Sequence, residues 1–240
     1  MPLFSFAQAR TLTEIRASGV LRLATSADYE PFNFMQDGQF AGFEVELGNL
    51  LAKQMNLKAV WVKHPFDTLL NDFKTGGYDV VIAAHAITST RAKIVDFTNP
   101  HSCGGNVLLA RSGGPLTSKG LEGRRIGAEA GSINLGFLQK LPFQKQIEVY
   151  RTSDLAIRSV ALGEVDAVLV DRLGAVKALE TYSKAGLTIG ETLWSTSSGM
   201  AVEKGNAGLR SALNVALGKV LKDGSYAATS QKFFKTDIRC

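Results

Sequence analysis

Short apolar runs alternate along this chain with stretches in which apolar residues recur at helical spacing. The run at 80–83, Val-Val-Ile-Ala, has the length and composition of a buried strand, and so does the run at 20–25. Between them, apolar residues over 43–55 recur on one face of a helix. Strands that alternate with helices pair in parallel through right-handed crossovers, so the pattern predicts an α/β fold.

The same periodicity predicts the other elements. Strands are expected at 20–25, 58–62, 79–83, 106–111, 125–129, 147–150, 166–171 and 199–203. Helices are expected at 11–19, 43–55, 66–73, 132–140, 173–182, 206–221 and 226–234, and from Arg91 onward. A further helix is expected to be capped by Ser153 or Asp154 and to end at Leu162.

The last two predicted helices follow the last predicted strand and have no new strand to cover. We therefore expect them to pack back on the first block of elements, which divides the molecule into two lobes. The first lobe is predicted to comprise residues 10–102 with 197–240, and the second lobe residues 103–196. The chain is expected to cross between the lobes near 101–105 and again near 194–198.

The composition is that of an ordinary soluble domain, with 240 residues of which 45% are hydrophobic and 20% charged. The net charge of +5 is spread out, since the longest basic run is Arg124-Arg125. This distribution argues against nucleic acid as a partner, because no basic stripe interleaved with aromatic residues is present. The sequence also contains no apolar stretch of the length that crosses a membrane.

Residues 3–9, Leu-Phe-Ser-Phe-Ala-Gln-Ala, resemble the end of a secretory signal, in which Ala-x-Ala precedes the cleavage point. The charged segment that normally opens such a signal is missing, so an ordinary flexible terminus is the alternative. We expect residues 1–9 to be removed or disordered. The protein is then expected in the periplasm or outside the cell, free or attached to the cell envelope.

The chain contains two cysteines, Cys103 and Cys240, without the spacing of metal ligands. No metal site and no cofactor are predicted. Pairing of the two cysteines in an oxidising compartment stays open at this stage, because their positions far apart in the sequence do not prove it.

Polar groups collect in loops that follow predicted strands, where open α/β sheets place their ligands. The loop 84–91 contains Arg91, whose guanidinium can grip a carboxylate with two parallel hydrogen bonds. Ser132 lies at a helix N-terminus, where free amides favour an anion, and Asp171 ends a strand where it can hold an ammonium group. Together these groups describe a receptor for a zwitterion. Taken singly, Arg91 also fits a surface residue and Asp171 a helix cap.

Five sequence segments occur in an order that resembles the periplasmic amino-acid-binding proteins of ABC importers, which form family 3 of the solute-binding proteins. The segments are Tyr-Glu-Pro-Phe-Asn-Phe at 29–34, Gly-Phe-Glu-Val-Glu-Leu at 42–47, Ile-Thr-Ser-Thr-Arg-Ala-Lys-Ile-Val-Asp-Phe-Thr at 87–98, Ala-Gly-Ser at 130–132, and Gly-Glu-Val-Asp-Ala-Val-Leu-Val-Asp at 163–171. The resemblance covers nearly the whole chain, and it implies the two-lobed type II periplasmic-binding fold. In that fold the lobes close around the ligand at a hinge.

The resemblance implies roles for the residues that would hold the ligand backbone. Arg91 would bind the α-carboxylate, helped by the hydroxyl of Ser132 and the amide of Ile133. Asp171 would bind the α-ammonium group together with the carbonyl of Ala84. The resemblance also implies that Tyr29 and Phe66 enclose the ligand side chain, although ordinary core packing is the alternative for these rings.

Several positions depart from the family pattern. Ala84 and Ala86 stand where relatives often have Ser or Thr, and Ser26 stands where many have an aspartate in the first loop. Glu129 precedes the Ala-Gly-Ser segment and is expected at the side-chain end of the pocket. These departures leave the ligand open within the polar amino acids, with a weak preference for a basic or amide side chain.

We therefore expect a monomeric, non-catalytic receptor that binds a polar L-amino acid and delivers it to an ABC permease. One alternative is an enzyme of the same fold, in which Glu129 acts as general acid in dehydratase-like chemistry. Against it, the sequence contains no nucleophile–base pair and no metal cluster. Another alternative is the sensor module of a signalling receptor, since folds of this kind are reused.

Overall fold

The computed structural model of the chain describes residues 10–73, 75 and 77–240. The expected secretory signal at 1–9 lies outside the described residues. The strands are β1 Val20–Thr25, β2 Asp28–Tyr29, β3 Asn33–Gln36, β4 Gln39–Ala41, β5 Lys58–Lys63, β6 Val80–Val81, β7 Val95–Phe97, β8 Ser102–Arg111, β9 Arg125–Glu129, β10 Gln146–Tyr150, β11 Ala167–Asp171, β12 Leu187–Ser198 and β13 Ala201–Glu203. The α-helices are α1 Leu12–Ser18, α2 Phe43–Gln54, α3 Ile133–Lys140, α4 Ser153–Leu162, α5 Arg172–Thr181, α6 Ala207–Lys222 and α7 Ser225–Phe234.

The strands form two five-stranded sheets and a small three-stranded sheet, and helices flank the two large sheets. The first large sheet has the order β5-β1-β6-β13-β7, and the second has the order β10-β9-β11-β8-β12. Pairing is parallel among β5, β1 and β6 and among β10, β9 and β11, as the alternation predicted. It is antiparallel at β8, β12 and β13, so both sheets are mixed.

The strand β12 is the main element that the sequence analysis missed. It pairs antiparallel with β8 from Ser198 opposite Ser102 to Leu187 opposite Arg111, with irregular register in between. Its sequence is rich in Thr and Ser, and none of its twelve residues is fully buried, so it has no buried apolar run to mark it. The paired ends of β8 and β12 are the segments in which the crossovers were predicted. The exact lobe boundaries stay a prediction.

Three local predictions are wrong for identifiable reasons. Residues 66–73 form turns rather than a helix, because the Tyr78 hydroxyl takes the Leu69 carbonyl that a continuing helix would use (2.6 Å). The helix expected from Arg91 is a single 3₁₀ turn, Arg91–Lys93, after which the chain enters β7. The cap of α4 is Thr152, whose side chain accepts from the Leu155 amide, and not Ser153 or Asp154.

The core of the first sheet is completed by the C-terminal helices. Leu21 and Leu23 of β1 pack in one buried cluster with Phe43 of α2, Leu213 of α6 and Tyr226 of α7. The last two helices therefore pack back on the first block, as predicted. A second cluster packs α4 and α5 against β8 and β11.

The chain ends close to the start of β8. Cys103 and Cys240 are joined by a disulfide, which resolves the question that the sequence left open. The Cys103 amide also donates to the Ile238 carbonyl (2.9 Å). Among the helices that the structure describes, none combines the length and apolar character needed to cross a membrane.

Candidate functional site

A cavity of about 630 Å³, part of it open to solvent, lies where β6, β9 and β11 of the two large sheets end. We call it the main cavity. Its lining residues are Tyr29, Phe32, Phe66, Ala84, Ala86, Arg91, Ser102, Cys103, Gly104, Asn106, Glu129, Ser132, Ile133, Asn134, Ser153, Asp171, Leu173, Thr196 and Ser198. Every predicted site residue except Ser26 belongs to this set. Carboxyl ends of strands from both sheets thus build one site, as expected for an α/β fold.

Arg91 is a partly buried cation at this cavity. Its guanidinium donates to the carbonyls of Ala86 (3.0 Å) and Gly131 (3.2 Å), and its centre lies 5.7 Å from the centroid of the Phe66 ring. Within the described part of the chain, no carboxylate forms an ion pair with it. Burial lowers the pKa of Arg91 to about 10, so the side chain stays charged at neutral pH. The arrangement leaves a positive charge that a bound anion can complete.

Asp171 serves as a helix cap and lines the cavity at the same time. Its Oδ1 accepts a hydrogen bond from the Leu173 amide (2.8 Å) at the start of α5. Burial raises the pKa of Asp171 to about 6, so the carboxylate is mostly ionised at pH 7. Gly104 of β8 passes so close that a Cβ there would lie 2.6 Å from Asp171 Oδ2. Asp171 therefore caps α5 and lines the main cavity at once, so its interpretation as a helix cap is compatible with its interpretation as a ligand for an ammonium group.

Glu129 is an acidic side chain that is only 8% exposed. The Ser153 hydroxyl donates to its Oε2 (2.6 Å), whereas its Oε1 accepts no hydrogen bond from the described residues. Burial raises the pKa of Glu129 to about 8, and the negative charge of Asp28 adds to the rise. The hydrogen bond from Ser153 and the charge of Arg91 act in the opposite direction. In the ligand-free cavity this carboxyl is therefore largely protonated at pH 7.

The N-terminus of α3 presents backbone amides to the cavity. Ser132 caps this helix: its hydroxyl accepts from the Leu135 amide (3.1 Å) and donates to the Glu129 carbonyl (2.7 Å). Ile133 is the first residue of α3, so its N–H has no acceptor inside the helix. This end of the cavity can accommodate an anion.

Three aromatic side chains, those of Tyr29, Phe32 and Phe66, contribute to the wall of the cavity. The Tyr29 ring stacks on Phe32 with centroids 5.2 Å apart. The Phe66 ring stacks on His85 at 4.3 Å with an angle of 8° between the planes. His85 is buried, and burial lowers its pKa, so it is a neutral packing partner. These aromatic faces give the cavity an apolar part beside its charged groups.

Ser26 lies outside the main cavity, which corrects its place among the predicted lining residues. The cause is a buried hydrogen bond, since its hydroxyl donates to Asn33 Oδ1 (3.1 Å). Asn33 in turn donates to Glu44 Oε2 (2.8 Å). The Ser26 side chain therefore stabilises the first loop through this hydrogen bond and does not face the main cavity.

Glu44 is a supporting residue that the sequence analysis did not single out. It is fully buried at the start of α2, and the Ala84 amide donates to both of its carboxylate oxygens (2.8 and 2.9 Å). His101 Nε2 lies 2.9 Å from its Oε1, next to the first crossover. Ala84 has a φ of 50°, a value that non-glycine residues rarely adopt, so these bonds hold a strained loop in place. The sequence signal that could have identified Glu44 is its position as an acidic residue among the apolar positions of the segment 42–47.

Comparison with known proteins identifies the family. The profile of the bacterial extracellular solute-binding proteins, family 3, matches residues 21–236. The chain belongs to this family. The membership confirms the resemblance that the sequence motifs indicated, and it makes the chain a binding protein rather than an enzyme. Among the described residues, no group of three or more His, Cys, Asp or Glu side chains is arranged to hold a metal ion.

Similar proteins span almost the full length of the chain. The L-cystine-binding protein TcyJ of Escherichia coli K12 is 31% identical, over 99% of this chain and 91% of its own. The lysine/arginine/ornithine-binding periplasmic protein of the same organism is 28% identical, over 91% and 88%. The solved structure of an ancestral arginine-binding protein bound to arginine is 30% identical with a TM-score of 0.85, covering 90% and 98% of the two chains. The last match confirms the two-lobed type II periplasmic-binding fold.

Proposed function

We propose that the main cavity binds a polar L-amino acid as a zwitterion, with Arg91 at the α-carboxylate and Asp171 at the α-ammonium group. The chain is an amino-acid-binding protein of an ABC uptake transporter, and the proposal concerns its ligand and the residues that hold it. The observation that carries the proposal is the partly buried Arg91 guanidinium, which has only carbonyl partners among the described residues and shares a cavity with Asp171.

At the carboxylate end, the ligand completes the charge of Arg91. A guanidinium binds a carboxylate through two parallel hydrogen bonds, and the exclusion of water strengthens both. The Ile133 amide at the start of α3 adds a further donor. The Ser132 hydroxyl supports this end mainly by fixing the helix N-terminus, because its own hydrogen bonds are already used within the protein.

At the ammonium end, Asp171 and the Ala84 carbonyl act as acceptors. The ligand cation favours the ionised form of Asp171, which burial alone disfavours. Ala84 is held by Glu44, so its carbonyl position is fixed before the ligand arrives. Ala84 and Ala86 offer no hydroxyl, which leaves the backbone and charged groups to bind the ligand termini.

The ligand side chain lies between Tyr29 and Phe66 and points toward Glu129. A buried carboxyl whose Oε1 accepts no hydrogen bond from the described residues favours a ligand that ends in a cation or an N–H donor. Named relatives of this chain bind cystine, lysine, arginine and ornithine, and these ligands all carry a second nitrogen. A basic or amide side chain is therefore favoured.

Ligand binding closes the two lobes about the paired ends of β8 and β12. The predicted lobes, 10–102 with 197–240 and 103–196, supply opposite walls of the cavity, so a bound zwitterion links them. The protein acts outside the cytoplasm, and the closed form docks on the permease subunits of the transporter. The location and the docking are both inferred from relatives that are named as periplasmic binding proteins.

A thermal-shift screen against the twenty amino acids, ornithine, citrulline and cystine tests the proposal. A ligand present at about 100 times its dissociation constant stabilises the folded protein by about 2.7 kcal/mol. We expect a rise in melting temperature with one or a few polar amino acids. Stabilisation by glutamate or aspartate alone, or by no amino acid at all, would contradict the proposal.

A further inference from the structure

The disulfide between Cys103 and Cys240 borders the main cavity and is not used in the proposed function. Cys103 lines the cavity, as do its two chain neighbours Ser102 and Gly104. Both cysteines are exposed to solvent. Exposed disulfides are the labile ones in thiol–disulfide exchange, because an attacking thiolate needs access to a sulfur atom. This bond is therefore open to chemical change beside the place where the ligand binds.

The strand segment that carries Cys103 also contacts the ammonium end of the site. It is the start of β8, which pairs with the end of β12 where the chain is predicted to cross between the lobes. The next residue, Gly104, passes so close to Asp171 that a Cβ there would lie 2.6 Å from Asp171 Oδ2. A movement of Cys103 would therefore change the surroundings of the carboxylate that is proposed to bind the ligand.

The other cysteine belongs to a segment that is anchored in the core of the first sheet. Residues 237–240 form neither helix nor strand, but the Ile238 side chain is buried in the hydrophobic cluster of that sheet. The Ile238 amide donates to Ser230 Oγ of α7 (3.1 Å), and its carbonyl accepts from the Cys103 amide (2.9 Å). The disulfide therefore joins the start of β8 covalently to a segment that is fixed in the first core.

We propose that Cys103–Cys240 is a thiol–disulfide exchange site, and that its reduction by a low-molecular-weight thiol weakens amino-acid binding in the main cavity. This inference rests on the proposed function, since it concerns the regulation of that same site. The oxidised protein is the form that binds the ligand tightly. The concentration of small thiols around the protein thereby sets its affinity for the ligand.

The exchange proceeds in two steps, and each step uses one thiol. The thiolate of the first thiol attacks one sulfur of the disulfide, so the S–S bond breaks and the other cysteine leaves as a thiolate that takes up a proton. The second thiolate attacks the sulfur of the small thiol in this mixed disulfide and releases the first cysteine. Two protein thiols and one small disulfide result, and two electrons pass from the small thiols to the protein.

The coupling to binding comes from the order that the disulfide imposes on the start of β8. In the reduced protein this segment and residues 237–240 gain conformational freedom, which ligand binding must remove again. The free-energy cost of this ordering lowers the affinity for the ligand. Such coupling is reciprocal, so a bound ligand should make the disulfide harder to reduce by the same factor.

Labelling under native conditions tests the exchange itself. The parent protein is incubated with reduced glutathione without denaturant, free thiols are alkylated with iodoacetamide, and the labelled cysteines are identified by mass spectrometry. We expect label on both Cys103 and Cys240, which are the only cysteines of the chain, and none on an untreated sample. Complete resistance of the disulfide to glutathione would overturn the inference.

Isothermal titration tests the effect on binding. The oxidised parent, the reduced parent freed of glutathione, and Cys103→Ser/Cys240→Ser are titrated with arginine, with glutamine and with any other amino acid that the thermal-shift screen identifies. We expect both proteins without the disulfide to bind at least about fivefold more weakly than the oxidised parent. Cystine is titrated into the oxidised parent and the double variant only, because it would reoxidise the reduced parent. Glutathione treatment of the double variant is the control and should not change its affinity.

A disulfide that only stabilises the fold gives a different result. Reduction would then lower the melting temperature while the affinity stays within about twofold of the oxidised parent, and this outcome would overturn the inference. Unfolding of the reduced parent at the titration temperature would overturn it too, because the disulfide would then control folding rather than binding. If only the double variant fails to fold, the reduced parent decides alone.

The test separates this inference from the proposed function. A parent that binds no amino acid in either redox state refutes the proposed function, and the inference falls with it. Equal affinities of the oxidised and reduced parent for a bound amino acid refute the inference alone.

Discussion

At the residue scale, the main cavity combines three ionisable groups whose burial has opposite consequences. Arg91 keeps its charge despite burial because its pKa falls only to about 10. Glu129 loses most of its charge at pH 7, with a pKa of about 8, whereas Asp171 keeps most of its charge, with a pKa of about 6. At pH 7 the cavity therefore has a charged guanidinium at Arg91 and a largely protonated carboxyl at Glu129, which a nearby cation would ionise.

Glu129 should make the ligand-free protein less stable in alkaline solution. Its pKa in the folded protein, about 8, lies above its ordinary value of 4.5. The contribution of the protonated form is thus complete below pH 4.5 and is lost as the pH rises through about 8. Glu129→Gln should raise the melting temperature at pH near 9, by about 2–4 °C for each kcal/mol recovered.

Glu148→Gln is the matched control for this prediction, since Glu148 is exposed on β10. It should leave the melting temperature unchanged at every pH. A Glu129→Gln protein that melts like the parent at high pH, or below it, would show that Glu129 is ionised at little cost in the empty cavity.

Binding of a cationic ligand should release a proton. Such a ligand favours ionised Glu129, so below its pKa of about 8 the bound proton must leave. The affinity for arginine should therefore fall as the pH drops from about 8 toward 6.5, by at most about tenfold per pH unit for one proton. The affinity for citrulline should stay nearly constant over this range. Titrations in two buffers of different ionisation enthalpy measure the released proton, and equal heats in both would contradict the prediction.

At the element scale, the start of α2 organises the loop that carries Ala84. Glu44 accepts from the Ala84 amide, lies beside His101 Nε2 and accepts from Asn33 Nδ2, all within a buried network. These partners come from three different segments of the chain. The N-terminal position of Glu44 also suits its charge, because helix dipoles favour anions there.

Glu44→Gln should destabilise the protein and weaken ligand binding together. The amide NH₂ would face hydrogen-bond donors, and each buried group left unsatisfied costs about 1–3 kcal/mol. Urea unfolding measures the loss of stability. Glu46→Gln is the control on the same helix, since Glu46 forms a surface ion pair with the exposed Lys232 and its replacement should cost less than about 1 kcal/mol. Equal unfolding midpoints for the two variants would contradict this account of Glu44.

Local signals explain which elements the sequence could predict. Helix α1 was predictable because Thr11 and Glu14 form a capping box and Gly19 ends the helix with a φ of 67°. The strand β12 was missed because its pairing with β8 comes from tertiary structure rather than from an apolar run. The 66–73 segment was misassigned because its helical spacing competes with a hydrogen bond from Tyr78, which no local pattern contains.

The sequence predicted those residues of the candidate site that lie at strand ends or in the recognisable motifs. Arg91, Glu129 and Asp171 all follow or end strands, so the sequence brought them to one cavity. The residues behind that cavity were not predictable in the same way. Ser26 is turned to Asn33 by a side-chain hydrogen bond, and Asp28 lines a second cavity that only the three-dimensional structure reveals.

At the scale of the whole molecule, the disulfide ties the C-terminus to the crossover. Cys103 and Cys240 are 137 residues apart in sequence and 4.8 Å apart at their Cα atoms, and Cys103 lines the main cavity. The bond therefore joins the end of the chain to the strand β8 that links the two sheets. This connection limits how far the C-terminal segment can separate from the crossover.

Replacing both cysteines with serine should lower the stability of the protein. A disulfide typically contributes about 2–4 kcal/mol by restricting the unfolded chain. The chain has no other cysteine, so reduction of the parent should reproduce the effect of the double variant. Urea midpoints with and without reductant test this. A parent whose midpoint is the same in both conditions would contradict the stabilising role of the disulfide.

The central claim is that Arg91 binds the ligand carboxylate, and isothermal titration of Arg91→Ala tests it most directly. Removing one partner of such a buried pair costs about 2–5 kcal/mol of binding free energy. We expect a loss of roughly 30-fold to several-thousand-fold in affinity for the amino acid found by the screen. Arg91→Lys should lose much of the affinity too, because an ammonium group lacks the planar fork. Arg124→Ala, at an exposed position, should bind normally. An Arg91→Ala affinity within about threefold of the parent would contradict the claim.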